Sequence, residues 1–225
     1  MRRTRVMKAD ILSNLRDYWE RLRKGRIAPY RAELDPRQFE DALEYMFILE
    51  QLNPNQLRVR LAGMALCDMM GMEVRGMPPE AFMASSHRSA FTTHINSVLT
   101  GPAVVELELV AVANDGQRTK GQMLLLPLRS DFGEVTRVLG CVITDEPIRQ
   151  APVNFSITSV RLIAIRRDGS THEKPASTVS GFSEEQAPLL PGAEDRPSLR
   201  AIDGNPDAVR TSRRRGHLKV VGKDT

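Results

Sequence analysis

Cysteine is nearly absent from this chain: two residues in 225, Cys67 and Cys141, both inside apolar segments. That excludes a disulfide framework and reads as small buried thiols in a reducing compartment, so a cytoplasmic protein is expected. Long hydrophobic runs are missing as well. No stretch approaches the roughly 20 apolar residues that span a bilayer, so no membrane span is expected. Arg2, Arg3, Arg5 and Lys8 are followed by no apolar stretch. They therefore read as neither a signal peptide nor a twin-arginine export signal. Four histidines (His87, His94, His172 and His217) and two cysteines are too scattered for a zinc site. H-E-x-x-H, paired C-x-x-C, G-x-x-x-x-G-K-[ST] and G-x-S-x-G are all absent. With them go the usual signs of a metalloprotease, a metal ribbon, a nucleotide hydrolase or a serine hydrolase. The expectation is a protein that is not an enzyme.

What is present is ordinary in amount and uneven in placement. Hydrophobic content is 41%, and the length allows one domain with extensions or two small domains. The net charge of +4 is unevenly spread. Residues 1–26 carry nine Lys/Arg against three Asp/Glu, residues 27–174 fifteen against eighteen, and residues 175–225 eight against seven. A basic leader thus precedes a mildly acidic centre. Such a leader can touch nucleic acid or an anionic membrane, but more often it is a solvated helix face. Arg213, Arg214 and Arg215 sit in a tail of nearly balanced charge and are weak grounds for phosphate contact.

Asp10 is a natural N-cap for a first helix running to about Lys24. Ile11, Leu15, Tyr18 and Leu22, with Trp19 beside them, form an amphipathic stripe. It is too wide to leave in water, which makes these five residues the expected dimer or partner interface. Asp35-Pro36-Arg37-Gln38 has the cap, the proline and the Gln of a second helix start, with Phe39, Ala42, Leu43 and Met46 as its apolar side. Glu40, Asp41, Glu44 and Glu50 read as a solvated helix face. Strands are expected at Phe47–Leu52 and Gln56–Leu61 across the turn Asn53-Pro54-Asn55. A short helix at Leu66–Met70 should stop at Gly71 in a left-handed conformation. A further short helix is expected around Pro79–Ala84 and a longer one from Ser86 to Leu99. Val104–Leu109 and Thr119–Leu126 alternate across the hairpin turn Asn114-Asp115-Gly116, and Val138–Ile143 supplies another strand. Pro127 would remove a ladder amide from an interior strand, so a strand end or bulge is expected there.

The stretch Arg60–Pro78, and within it Leu66, Met70 and Gly71 followed by Gly76, resembles the second strand and first short helix of a PAS domain. The order of strands and helices agrees with that family over about residues 10–150. The resemblance implies an α+β fold: a five-stranded antiparallel sheet with short helices on one face, preceded by an N-terminal amphipathic helix. It divides the chain into a basic leader (1–30), a PAS-like domain (31–150) and an extra strand or extension (151–170). The rest, 171–225, is rich in Pro, Gly, Ser and mixed charge and is expected to be a disordered tail.

PAS modules sense or relay signals. The resemblance therefore implies a non-catalytic signalling module that senses a small ligand or works through protein contact. Its partners would be a second copy or a signalling protein such as a sensor kinase. A nucleic-acid-binding regulator using the basic leader and arginine tail is the alternative. Met70, Met83, Phe91, His94, Ile95 and Val98 are the expected ligand-pocket residues. Six methionines fall between Met64 and Met83, and they suit either a plastic pocket or partner surface, or a core needing flexible filler. Haem-binding PAS domains take their iron ligand from the longer helix, which raises haem at His94. A lone histidine on an apolar face more often finds a carbonyl or half-exposes its ring, so the reading taken is a pocket wall without iron. Cys67 invites comparison with flavin photosensors, but the Asn-Cys-Arg-Phe motif of those domains is absent and Cys67 lies on the wrong helix. No cofactor is assured.

Overall fold

The computed structural model describes residues 2–54, 56–166 and 171–178. Helix α1 spans Arg2–Arg23, so Asp10 lies within it and does not cap it. Strands β1 (Met46–Asn53) and β2 (Gln56–Ala62) pair as the expected hairpin. Helix α2 (Met64–Met70) follows and ends at Gly71, whose φ of 69° is the left-handed stop its position demanded. Helix α3 covers Arg88–Leu99. Strands β3 (Ala103–Ala113), β4 (Arg118–Arg129), β5 (Val135–Thr144), β6 (Val153–Ile165) and β7 (Thr171–Thr178) complete the chain order. All neighbours are antiparallel, in the order β2-β1-β5-β4-β3-β6-β7.

The α+β, PAS-like arrangement stands as expected, with corrections to its extent and to the segment before β1. The sheet has seven strands where five were expected, because β6 pairs along the whole of β3 and β7 pairs with β6. The sheet therefore runs into the segment read as tail; the remainder of that tail, 179–225, lies outside the described residues. The second helix does not form. Asp35 does cap, its carboxylate accepting from the amide of Arg37, but only the 3-10 turns Pro36–Gln38 and Glu40–Ala42 result. Phe39, at φ −145°, interrupts them, and its ring packs against Tyr18 with centroids 5.1 Å apart. Glu50 consequently sits in β1 and not on a helix face.

Pro127 meets the expected irregularity nearby, since the register of β4 against β5 shifts between Leu128 and Arg129. Its missing amide costs little. The pairing of β4 with β3 ends at Leu125, so Pro127 stands beyond it.

Alternation along the strands produces two cores. Leu49, Val59, Val105, Leu107, Leu125, Val138 and Val142 feed the front one, under α2 and α3. Ile48, Val104, Leu124, Leu126, Leu139 and Cys141 feed the back one. The back face is covered by α1. Leu15, Tyr18 and Trp19 are buried there, with Ile11 and Leu22 partly buried beside them. This corrects the expectation that Ile11, Leu15, Tyr18, Trp19 and Leu22 form a dimer or partner interface: the stripe meets the apolar back of its own sheet. Trp19 is fully buried, and its Nε1–H donates to the carbonyl of Pro127 at 2.9 Å. The Arg23 guanidinium lies 5.5 Å from the Trp19 ring centre and pairs with Glu20. The Tyr18 hydroxyl accepts from the amide of Asp35 at 2.8 Å. Arg16 forms an ion pair with Glu106 of β3.

Trp19→Ala should therefore act as a core truncation, costing about 3–5 kcal/mol. A melting curve should show the loss, while light scattering should give an unchanged particle size. A change of size with unchanged stability would return the stripe to an interface role.

Candidate functional site

The front core is where a PAS-type pocket was expected. Met70, Met83, Phe91, Ile95 and Val98 are all buried in it, brought together by α2, the 3-10 turn Pro79–Phe82 and α3. Phe47 and Phe82 are buried in the same core. Phe47 of β1 lies over Gly140 of β5 so closely that a Cβ on Gly140 would come within 2.1 Å of the Phe47 Cζ. Phe82 meets Phe47 edge-on, with centroids 5.9 Å apart. Only glycine at position 140 lets the ring lie against the sheet. Phe47 and Phe82 thus form an aromatic plug on Gly140, in the same core as the expected pocket residues.

His94 is half-buried on α3, and burial pushes its imidazole pKa below the ordinary value. His87 is half-buried just ahead of α3. Of the methionine cluster, Met69, Met70 and Met83 are core, Met77 packs at its edge, and Met64 and Met72 are exposed. The cluster therefore divides between filler and surface.

Sequence reasoning missed a second feature, at the corner of the back face formed by β2, β1 and β5. A cavity of about 470 Å³ is lined by Arg31, Arg60, Arg75 and Arg137, with Ala32, Ile48, Leu61 and Asp131. Its arginines come from four separate elements, so no local motif announces them. Next to it, Glu50 holds Arg58 at 2.8 Å and Arg137 at 2.9 Å. The hydrogen bond from Arg58, opposed by partial burial and helped by the charges of Arg137, Arg58 and Arg60, keeps the Glu50 carboxyl below its usual pKa. Among the described residues, no cluster of His, Cys, Asp and Glu is disposed to hold a metal ion.

The chain matches the PAS domain family over residues 7–143, well over half of its length. It belongs to the PAS domain family. At that level its role is that of a sensory or signalling module. Solved structures give weaker likenesses. A light-oxygen-voltage domain from a flavin-analogue study is 16% identical, with a TM-score of 0.38 over 48% of this chain and 82% of that one. The LOV protein of Rhodobacter sphaeroides is 16% identical, with a TM-score of 0.38 over 49% of this chain and 68% of that one. An RNA-binding light-oxygen-voltage receptor is 23% identical, with a TM-score of 0.37 over 48% of this chain and 31% of that one. No curated protein matches the chain.

The two cysteines of this PAS domain differ in environment. Cys67, on α2, is half-exposed, with Sγ 3.9 Å from a Glu73 carboxylate oxygen. Cys141 is buried in the back core, and burial pushes its thiol pKa up to about 12. A thiol reagent at neutral pH should modify Cys67 in the folded protein and Cys141 only on unfolding, as peptide mapping would show. Rapid modification of both in the native state would contradict the burial of Cys141.

Removing the plug gives a second test. Phe47→Ala should cost about 3–5 kcal/mol and leave an apolar hole above Gly140. Benzene or indole should then raise the melting temperature of the variant and not that of the parent. An equal rise in both proteins would mean that the parent core already has room.

Proposed function

We propose that this PAS domain is a non-catalytic, cytoplasmic signalling module that passes its signal through protein–protein contact. Its front core is filled by its own side chains and not by flavin or haem. The observation that carries the reading is the Phe47 ring seated on Gly140, with Phe82 against it, in the same buried core as the residues expected to line a pocket. A cofactor entering there would first have to displace both rings, and a close-packed core resists that.

Contact is then left to the surface. With the α1 stripe occupied by the domain itself, the large exposed apolar side chains among the described residues are Leu52, Leu61, Met64 (70% exposed), Met72 (55%) and Phe132 (95%). Phe132 stands at the tip of the β4–β5 hairpin and is a natural anchor for a partner. The partner is a second copy or a signalling protein such as a sensor kinase.

The test is an absorbance spectrum and a mass measurement of the purified full chain, taken with its association state across a salt series. The expected result is no visible band, no co-purifying cofactor, and an association that persists at high salt and is weakened by Phe132→Ser. A flavin band would overturn the reading, and so would a Soret band lost in His94→Ala. Binding of an oligonucleotide that collapses steeply with salt would replace it with a nucleic-acid function.

A further inference from the structure

We infer that the arginine-lined cavity at the β2–β1–β5 corner binds a multiply charged phosphate group. This site lies outside the packed front core and does not depend on the contact reading above. Its four guanidinium groups are each held by a different device. Arg60 is the extra residue at a bulge: Ile48 pairs with Leu61 and Leu49 with Val59, leaving Arg60 between them without a β1 partner. Bulges re-aim side chains in this way. Arg75 comes from the loop after α2, which is fastened to the edge of β2. The Val59 amide donates to Met77 O at 2.9 Å, and the Gly76 amide donates to Val59 O at 2.8 Å. Arg31 begins a 3-10 turn held by Glu33, whose carboxylate accepts from the Tyr30 amide at 2.7 Å and pairs with Arg26. Arg137 rises from β5, and its side chain is only 23% exposed.

The charges do not cancel within the site. Arg31, Arg60 and Arg75 make no ion pair among the described residues, and Asp131 is the one carboxylate in the lining. Glu50 neutralises Arg137 only in part, because it is shared with Arg58. The buried Nε of Arg137 has no hydrogen-bond partner, an arrangement that is costly unless something accepts from it. A single carboxylate brings one charge and two oxygens, which one or two arginines satisfy, as Glu50 demonstrates. Four guanidiniums with fork geometry suit a group carrying two or more charges and at least three terminal oxygens. Ile48 and Leu61 add an apolar wall beside the charges, which accommodates the organic part of a phosphate ester.

Calorimetry on the full chain would use pyrophosphate, O-phosphoserine in a short peptide, and citrate, all at one ionic strength. Pyrophosphate or the phosphopeptide should bind saturably and at least about tenfold more tightly than citrate, with affinity falling as salt rises. The Arg60→Gln/Arg75→Gln double variant replaces two exposed side chains and should lose at least tenfold in affinity with an unchanged melting curve. Arg118→Gln, on the distant β3–β4 hairpin, should bind like the parent. Binding of pyrophosphate assigns the site to a free phosphate compound, and binding of the phosphopeptide alone assigns it to a phosphorylated partner. The inference falls if neither probe binds, if citrate binds equally well, or if the double variant binds like the parent.

Discussion

Both faces of the sheet carry apolar side chains, and removing both from water is the constraint that arranges everything else in this domain. On the front, α2, α3 and the 3-10 turn between them supply the cover. On the back it is α1 with residues 28–42, pinned by the Trp19 indole on the Pro127 carbonyl. The bond falls at a β4 residue that brings no amide of its own, so the back cover and the proline meet at a single point. Helix α1 is therefore a layer of the fold.

Much of this was readable from local chemistry. The β1–β2 hairpin, the Gly71 stop and the apolar face of α3 each rest on signals within a few residues, and they stand. The signals that misled were also local. Asp35 and Pro36 mark the start of a helix, but a start does not guarantee propagation, and Phe39 turned instead toward Tyr18. The α1 stripe announced an apolar face without saying what would cover it. Strand β7 pairs through its backbone at the sheet edge, beyond the reach of a composition argument. The arginine cavity was invisible for a further reason. Its members lie between positions 31 and 137 and meet only through a bulge, a tethered loop and a strand pairing.

Charged residues on the back face follow a common scheme. Glu106 holds Arg16 and Arg161, and Glu50 holds Arg58 and Arg137. Each carboxylate thus ties neighbouring elements together: α1 to β3 and β6 in one case, β1 to β2 and β5 in the other. Exposed pairs of this kind add little to stability individually. Their effect is to keep long arginine side chains in fixed directions. Arg31, Arg60 and Arg75, by contrast, make no ion pair among the described residues.

The parity of β5 has a further consequence. Leu139 and Cys141 belong to the back core while Val138, Gly140 and Val142 face the front, so one backbone serves two apolar layers in alternation. A slip of this strand by a single residue would push Leu139 into the space reserved for the Phe47 ring and turn Gly140 toward α1. Both layers would fail together. The two cores are therefore bound to a single register, and neither half of the domain can rearrange its packing along β5 without the other sensing the shift.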